Sequence, residues 1–187
     1  MIQTFFLPGR VCGTDAIREI ADKSSAQYTM ICLKPEIEWV YLGQERMVQV
    51  LEMTGATMVY SDRFHKLQNL SPTLSSGEGE QEEAWQITEA PVIDYQTGAL
   101  RDDFDFGSVM RFRTDAFREA VGRMDTDYLY AGLYDLRLKV SQKGSLTHIS
   151  EYLYYEVETD TRKSGEKLFD YVDPNNRAVQ IEMEKDC

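Results

Sequence analysis

Residues Tyr130 to Val157 read YAGLYDLRLKVSQKGSLTHISEYLYYEV, and this stretch decides the fold class. Leu133, Leu136 and Val140 recur at helical spacing and give a helix one apolar stripe. Gly144 falls where a helix C-terminus favours a residue free to take positive φ. Leu146, His148 and Ile149 open a strand, and after a polar corner Leu153 to Val157 continue the β-prone run. A helix feeding a strand that ends in polar and aromatic residues is a common floor for a ligand cleft.

Upstream, the same alternation repeats. Thr14 or Asp15 caps a helix whose apolar face is Ile17, Ile20 and Ala21. Tyr28 to Leu33 is a continuous apolar run that suits a strand covered on both faces, and Lys34-Pro35-Glu36 ends it. Gln44 to Thr54 is the next helix, with Met47, Val50 and Leu51 inward and Gly55 as its stop. Ala56 to Tyr60 is a second strand, closed by Ser61-Asp62. Helix, strand, helix, strand with short connections predicts parallel strands in an α/β layer arrangement. Ligands of such sheets sit at the carboxyl ends of strands, where Lys34, Glu36 and Asp62 fall.

Between these halves, residues 68–90 form a polar surface excursion. Pro91 to Tyr95 reads as a strand entering the turn Gln96-Thr97-Gly98. Asp102, Asp103 and Asp105 follow, interleaved with Phe104 and Phe106. Three carboxylates this close repel unless they are solvated, paired or bound, and Arg101, Arg111 and Arg113 are near enough in sequence to neutralise them. Val109 to Arg113 is a strand, and Thr114 caps a helix carrying Ala116, Phe117, Ala120 and Val121. Towards the other end, Thr4 to Leu7 is a short strand or ordered arm. Asp173-Pro174 opens a helix over 174–187, a pattern expected of a chain that continues into flanking domains of a longer protein.

With 187 residues, one domain spanning 1–187 is expected. The net charge of −12 argues against a nucleic-acid binder, which needs a basic face. Much of that charge is local: from Lys66 to Arg101 no basic residue offsets Glu78, Glu80, Glu82, Glu83, Glu89 and Asp94. No apolar run approaches the roughly 18 residues of a membrane span. The N-terminal MIQTFFLPGR does not read as a signal peptide. Cys12, Cys32 and Cys187 are odd in number and lack CxxC spacing, which points to reduced thiols in the cytoplasm. His65 and His148 are the only histidines, too few for a multi-histidine metal site.

On these residues the chain resembles a known family. MVYSD at Met58 to Asp62, the insert, Gly107 to Arg113 before a capped helix, then YDLRLKVSQKGSLTHISEYLY are similar in order and spacing to family-2 type glycosyltransferases of the GT-A fold. The likeness covers roughly Asp15 to Val157. It implies a three-layer αβα fold with a mixed, mainly parallel central sheet. It also implies transfer of a sugar from a nucleotide-sugar donor to the hydroxyl of a glycan or lipid-linked acceptor, as in bacterial glycan synthesis. A divalent metal usually bridges the donor diphosphate in that family.

The chain departs from the family at the chemistry. Where the family carries an Asp-x-Asp metal motif, the chain has Leu33-Lys34-Pro35, followed by Glu36, and leucine and proline cannot ligate a hard cation. The resemblance therefore gives Lys34 the diphosphate as a point charge, with Glu36 and Asp62 on the donor side and Arg162-Lys163 on a loop closing over phosphates. Leu133 takes the position of the family's base, which it cannot fill. Asp135 aligns with a second acidic position on the same helix, and Asp103 or Asp105 approaches the same pocket. Trp39, Tyr134 and His148 are expected on the acceptor side. Tyr152, Tyr154 and Tyr155 either stack on a sugar or base, or pack. Most of the family's base-recognising first half has no counterpart before Thr14. The alternative to a transferase is an inactive GT-A-like binding or assembly domain of a larger glycosyltransferase. A structural domain unrelated to sugars is a third possibility.

Overall fold

The helices and strands follow the order α1 (Thr14–Lys23), β1 (Tyr28–Cys32), β2 (Ile37–Trp39), α2 (Gly43–Thr54), β3 (Met58–Gln68), β4 (Trp85–Ala90), β5 (Val109–Arg113), α3 (Thr114–Val121), α4 (Gly132–Ser141) and β6 (Leu146–Glu158). The computed structural model describes residues 13–68, 85–101, 104–158 and 181–184. The arm at Thr4 to Leu7 and nearly all of the expected C-terminal helix lie outside them. So do residues 69–84 of the polar excursion.

The strands form one six-stranded mixed sheet in the order β1-β5-β3-β6-β2, with β4 pairing the far half of β3. Among the described residues, β3 and β6 are the parallel pair, and the other four pairings are antiparallel. The expectation of a mainly parallel sheet is thus corrected. β1 and β3 do run the same way, as helix–strand alternation predicts. They are not neighbours, because β5 enters from the opposite end and lies between them.

Strand alternation divides the core into two faces. On one, Ile31, Met58, Tyr60, Met110, Phe112 and Leu146 pack against the inward stripes of α1, α3 and α4, including Ile17, Phe117 and Leu136. On the other, Val59, Val109, Ile149, Leu153 and Tyr154 pack against Met47 and Leu51 of α2. The stripe Leu133, Leu136 and Val140 is buried as its spacing predicts.

Three local readings change. Gly144 does not take positive φ; it is small because a Cβ there would lie 2.1 Å from Thr57 Cγ2. Thr14 does not cap α1. Gly13 does, and the Thr14 hydroxyl instead donates to Thr126 O and accepts from Tyr128 N. β3 is not closed by Ser61-Asp62. A register shift against β6 occurs there, and the strand runs on to Gln68 with β4 alongside. A bulge of this kind bends a strand and re-aims its side chains.

Candidate functional site

Asp62 and Arg63 are successive residues of β3 and face opposite sides of the sheet, beside the extra residues that bulge β6 there, and each organises a polar cluster. On the first face, His148 Nε2 lies 2.9 Å from Asp62 Oδ1, and His148 Nδ1 lies 2.7 Å from Asp94 Oδ1. Asp62 Oδ1 also accepts from Val92 N at 2.8 Å. The imidazole stacks on Tyr60 at 5.2 Å. The Tyr60 hydroxyl donates to Ile93 O and accepts from Tyr95 N. Burial pushes its pKa up to about 12. The bonds to Val92 N, Ile93 O, Asp94 Oδ1 and Tyr95 N fasten the irregular stretch Pro91 to Tyr95 to the sheet, where a strand was expected. Asp62 and His148, expected on the donor and acceptor sides, are brought together; Asp62 holds the Val92 backbone and His148 holds the Asp94 carboxylate. The His148 side chain is only 7% exposed.

On the second face lies a buried ion pair. Arg63 Nε is 2.9 Å from Glu156 Oε1, and the Glu156 side chain is 3% exposed. Arg63 Nη2 donates to Asp105 Oδ2 at 2.9 Å, Ser108 Oγ donates to Glu156, and His65 Nδ1 lies 3.3 Å from Glu156 Oε2. Burial works against the Arg63 charge, but the Asp105 and Glu156 carboxylates outweigh it and raise its pKa. Arg63 Nε and Nη1 are both buried with no hydrogen-bond partner, so Nε meets Glu156 as an ion pair alone. Tyr154 closes the floor. Its hydroxyl accepts from Ser108 N at 2.9 Å, and burial pushes its pKa up. Gly107 makes the crossing possible: it takes φ 73°, and a Cβ there would lie 2.5 Å from the Tyr154 hydroxyl.

The crossover after β1 reaches the same place. Leu33 N donates to Ser108 O at 2.8 Å, and Val157 N donates to Glu36 O at 3.2 Å. Ile37 then pairs with Glu156. Leu33 to Glu36 therefore bridges from the end of β1 to β2 on the far side of β6, past the Arg63–Glu156 pair. Lys34 and Glu36 are both exposed on it. Of the expected site residues, Asp105 contacts the buried Arg63–Glu156 pair, which the sequence reading missed, and the backbone of the segment carrying Lys34 and Glu36 passes beside it. The neutraliser of Asp105 is Arg63, forty-two residues upstream, and not Arg101, Arg111 or Arg113. Arg111 is buried elsewhere, donating to Gln44 O.

The other expected residues do not join this cluster. Asp135 is 1% exposed within α4, with Lys139 Nζ 3.0 Å from its Oδ1. Tyr134 is buried beside it, and Leu133 is in the core. Asp135 and Tyr134 therefore point into packing and not into a cleft. Trp39 is half-buried and packs against Tyr154 at 5.8 Å. Asp103, Arg162 and Lys163 lie outside the described residues. At the start of α4, the Glu182 carboxylate accepts from Leu129, Tyr130 and Ala131 N.

The divalent cation implied by the resemblance does not fit this set of side chains: among the described residues, no three His, Cys, Asp or Glu side chains converge as metal ligands. No helix among the described residues is long and apolar enough to cross a membrane. Compared with known proteins, the chain matches no family model and no curated protein.

Proposed function

We propose that the chain is a GT-A-like glycosyltransferase domain. In this reading it holds a nucleotide sugar at the carboxyl end of β1, beside Arg63 in the middle of β3, and transfers the sugar to a hydroxyl acceptor. Asp105 on the buried Arg63–Glu156 pair, with the crossover bearing Lys34 and Glu36 passing beside it, carries the reading. The element order supports it as well: the strand with Tyr-Ser-Asp, an insert, the Val109–Arg113 strand, a helix, then α4 and the His148 strand follow the order of the family.

The chemistry follows from what each group offers. Lys34 is exposed on the crossover, and in this reading its ammonium offsets diphosphate charge where the family would use a metal. Arg63 is fixed by Glu156 and Asp105 and adds a positive charge beneath the crossover. Of the three carboxylates expected as base, Asp105 is the one the described structure leaves accessible, with its side chain 57% exposed.

A panel of UDP- and GDP-sugars tests the reading by thermal shift. A ligand that binds the native state stabilises it by roughly 2.7 kcal/mol at 100 times Kd. The expected result is a Tm rise with one donor class that survives EDTA and falls in Lys34→Ala. Loss of the shift on chelation contradicts the role given to Lys34.

One observation favours the second reading, a GT-A-like binding or assembly domain without catalysis. Asp135 is turned inward onto Lys139, and Leu133 fills the core. Nucleotide-sugar binding without turnover is the outcome that selects it.

A further inference from the structure

Both histidines of the chain meet a carboxylate, but they are left in different states. His148 has carboxylates on both ring nitrogens and is almost fully buried, so neither nitrogen is open to a ligand. His65 has one. Its Nδ1 faces Glu156 Oε2 at 3.3 Å, its side chain is 31% exposed, and no contact to Nε2 exists among the described residues. With Nδ1 turned to the carboxylate, Nε2 is the ring nitrogen left open to a ligand.

The carboxylate behind His65 is well anchored. Glu156 gives Oε1 to Ser108 Oγ and Arg63 Nε and turns Oε2 to the imidazole. The groups around His65 are therefore Glu156 on β6, Arg63 two residues before it on β3 (with Asp105 behind), and the neutral Thr88 opposite on β4. Asp105 is the competing base, but its oxygens are committed: Oδ1 accepts from Gly107 N and Oδ2 from Arg63 Nη2.

We propose that His65 Nε2 takes the proton of the acceptor hydroxyl, with Glu156 as its positioning residue; this rests on the transferase reading above. As the acceptor O–H proton passes to Nε2, the oxygen forms a bond to the anomeric carbon of the sugar. The carbon–oxygen bond to the diphosphate breaks, and its electron pair leaves on the nucleoside diphosphate beside Lys34. The imidazolium is stabilised by Glu156 and then loses its proton to solvent.

Water serves as the acceptor in the test, so no acceptor need be known. Release of nucleoside diphosphate is followed for the UDP- or GDP-sugar that raises Tm most. His65→Ala is expected to lose about 100-fold or more in rate, the lower end of general-base contributions. It should keep the donor-induced Tm rise and recover part of the rate in added imidazole, and a structural role would not give that recovery. His65→Ala at the wild-type rate overturns the proposal and leaves the transferase reading intact. Loss of rate without imidazole rescue overturns it also, as does a wild type that is stabilised by donor yet releases no diphosphate. If no donor stabilises the wild type, the transferase reading falls and takes the role of His65 with it.

Discussion

Arg63 and Glu156 form an ion pair at 2.9 Å between neighbouring parallel strands, two positions out of register, with Glu156 almost fully buried. Such a pair stabilises little by itself, because both charges have left water. Its effect is positional. It aims Arg63 at Asp105 and turns Glu156 towards His65 and Ser108.

Breaking this pair from one side leaves an uncompensated buried charge, so Arg63→Met is expected to cost about 3–5 kcal/mol. Replacing both residues, Arg63→Met with Glu156→Leu, is expected to recover most of that loss. Urea unfolding of the two single variants and the double variant measures the coupling. Additive losses would contradict a direct pair.

Gly107 meets two separate constraints, its positive φ and the Tyr154 hydroxyl. Gly107→Ala is expected to destabilise by about 1–3 kcal/mol. Adding Tyr154→Phe removes the contacted oxygen but leaves the backbone strain, so it should rescue only part of the loss. Full rescue would show that φ at this position is unstrained.

The sequence made the elements legible and left the site largely hidden, for physical reasons. Helix stripes such as Leu133, Leu136 and Val140 are local, so spacing alone finds them. The direction of β5 is not local, because it depends on the 91–108 stretch crossing the sheet end. The pairing Arg63–Asp105 spans forty-two residues, and Glu156 lies further still along the chain. Glu156 sat inside an aromatic run that read as plain strand, and His65 followed a strand expected to stop at Asp62. The one available signal was charge within β-prone sequence. Glu156 on a strand otherwise built from Tyr152, Leu153, Tyr154 and Tyr155 demands a partner. Asp62 and His148, expected on separate sides of a cleft, meet each other instead and hold Val92 N and the Asp94 carboxylate.

Tyr60 sets an alkaline limit on stability. Its hydroxyl is pushed up to about 12 in the folded chain against an ordinary 10. The unfolded state therefore loses this proton first as pH rises. The stabilisation it provides is intact below about pH 10 and is lost as pH rises towards about 12. Tyr60→Phe removes this dependence together with the bonds to Ile93 and Tyr95. Unfolding midpoints between pH 8 and 11 check it. The wild type should fall with pH more steeply than the variant, and parallel curves would remove Tyr60 as the titrating group.

Amide chemical-shift mapping with a nucleotide sugar tests the central claim most directly. The account predicts shifts concentrated at Leu33 to Glu36 and Asp105 to Ser108, with His65 among the side chains that move. The groove between α3 and α4 lined by Thr57, Lys139 and Lys143 should stay unchanged. No response to any UDP- or GDP-sugar, or shifts confined to that groove, would contradict it.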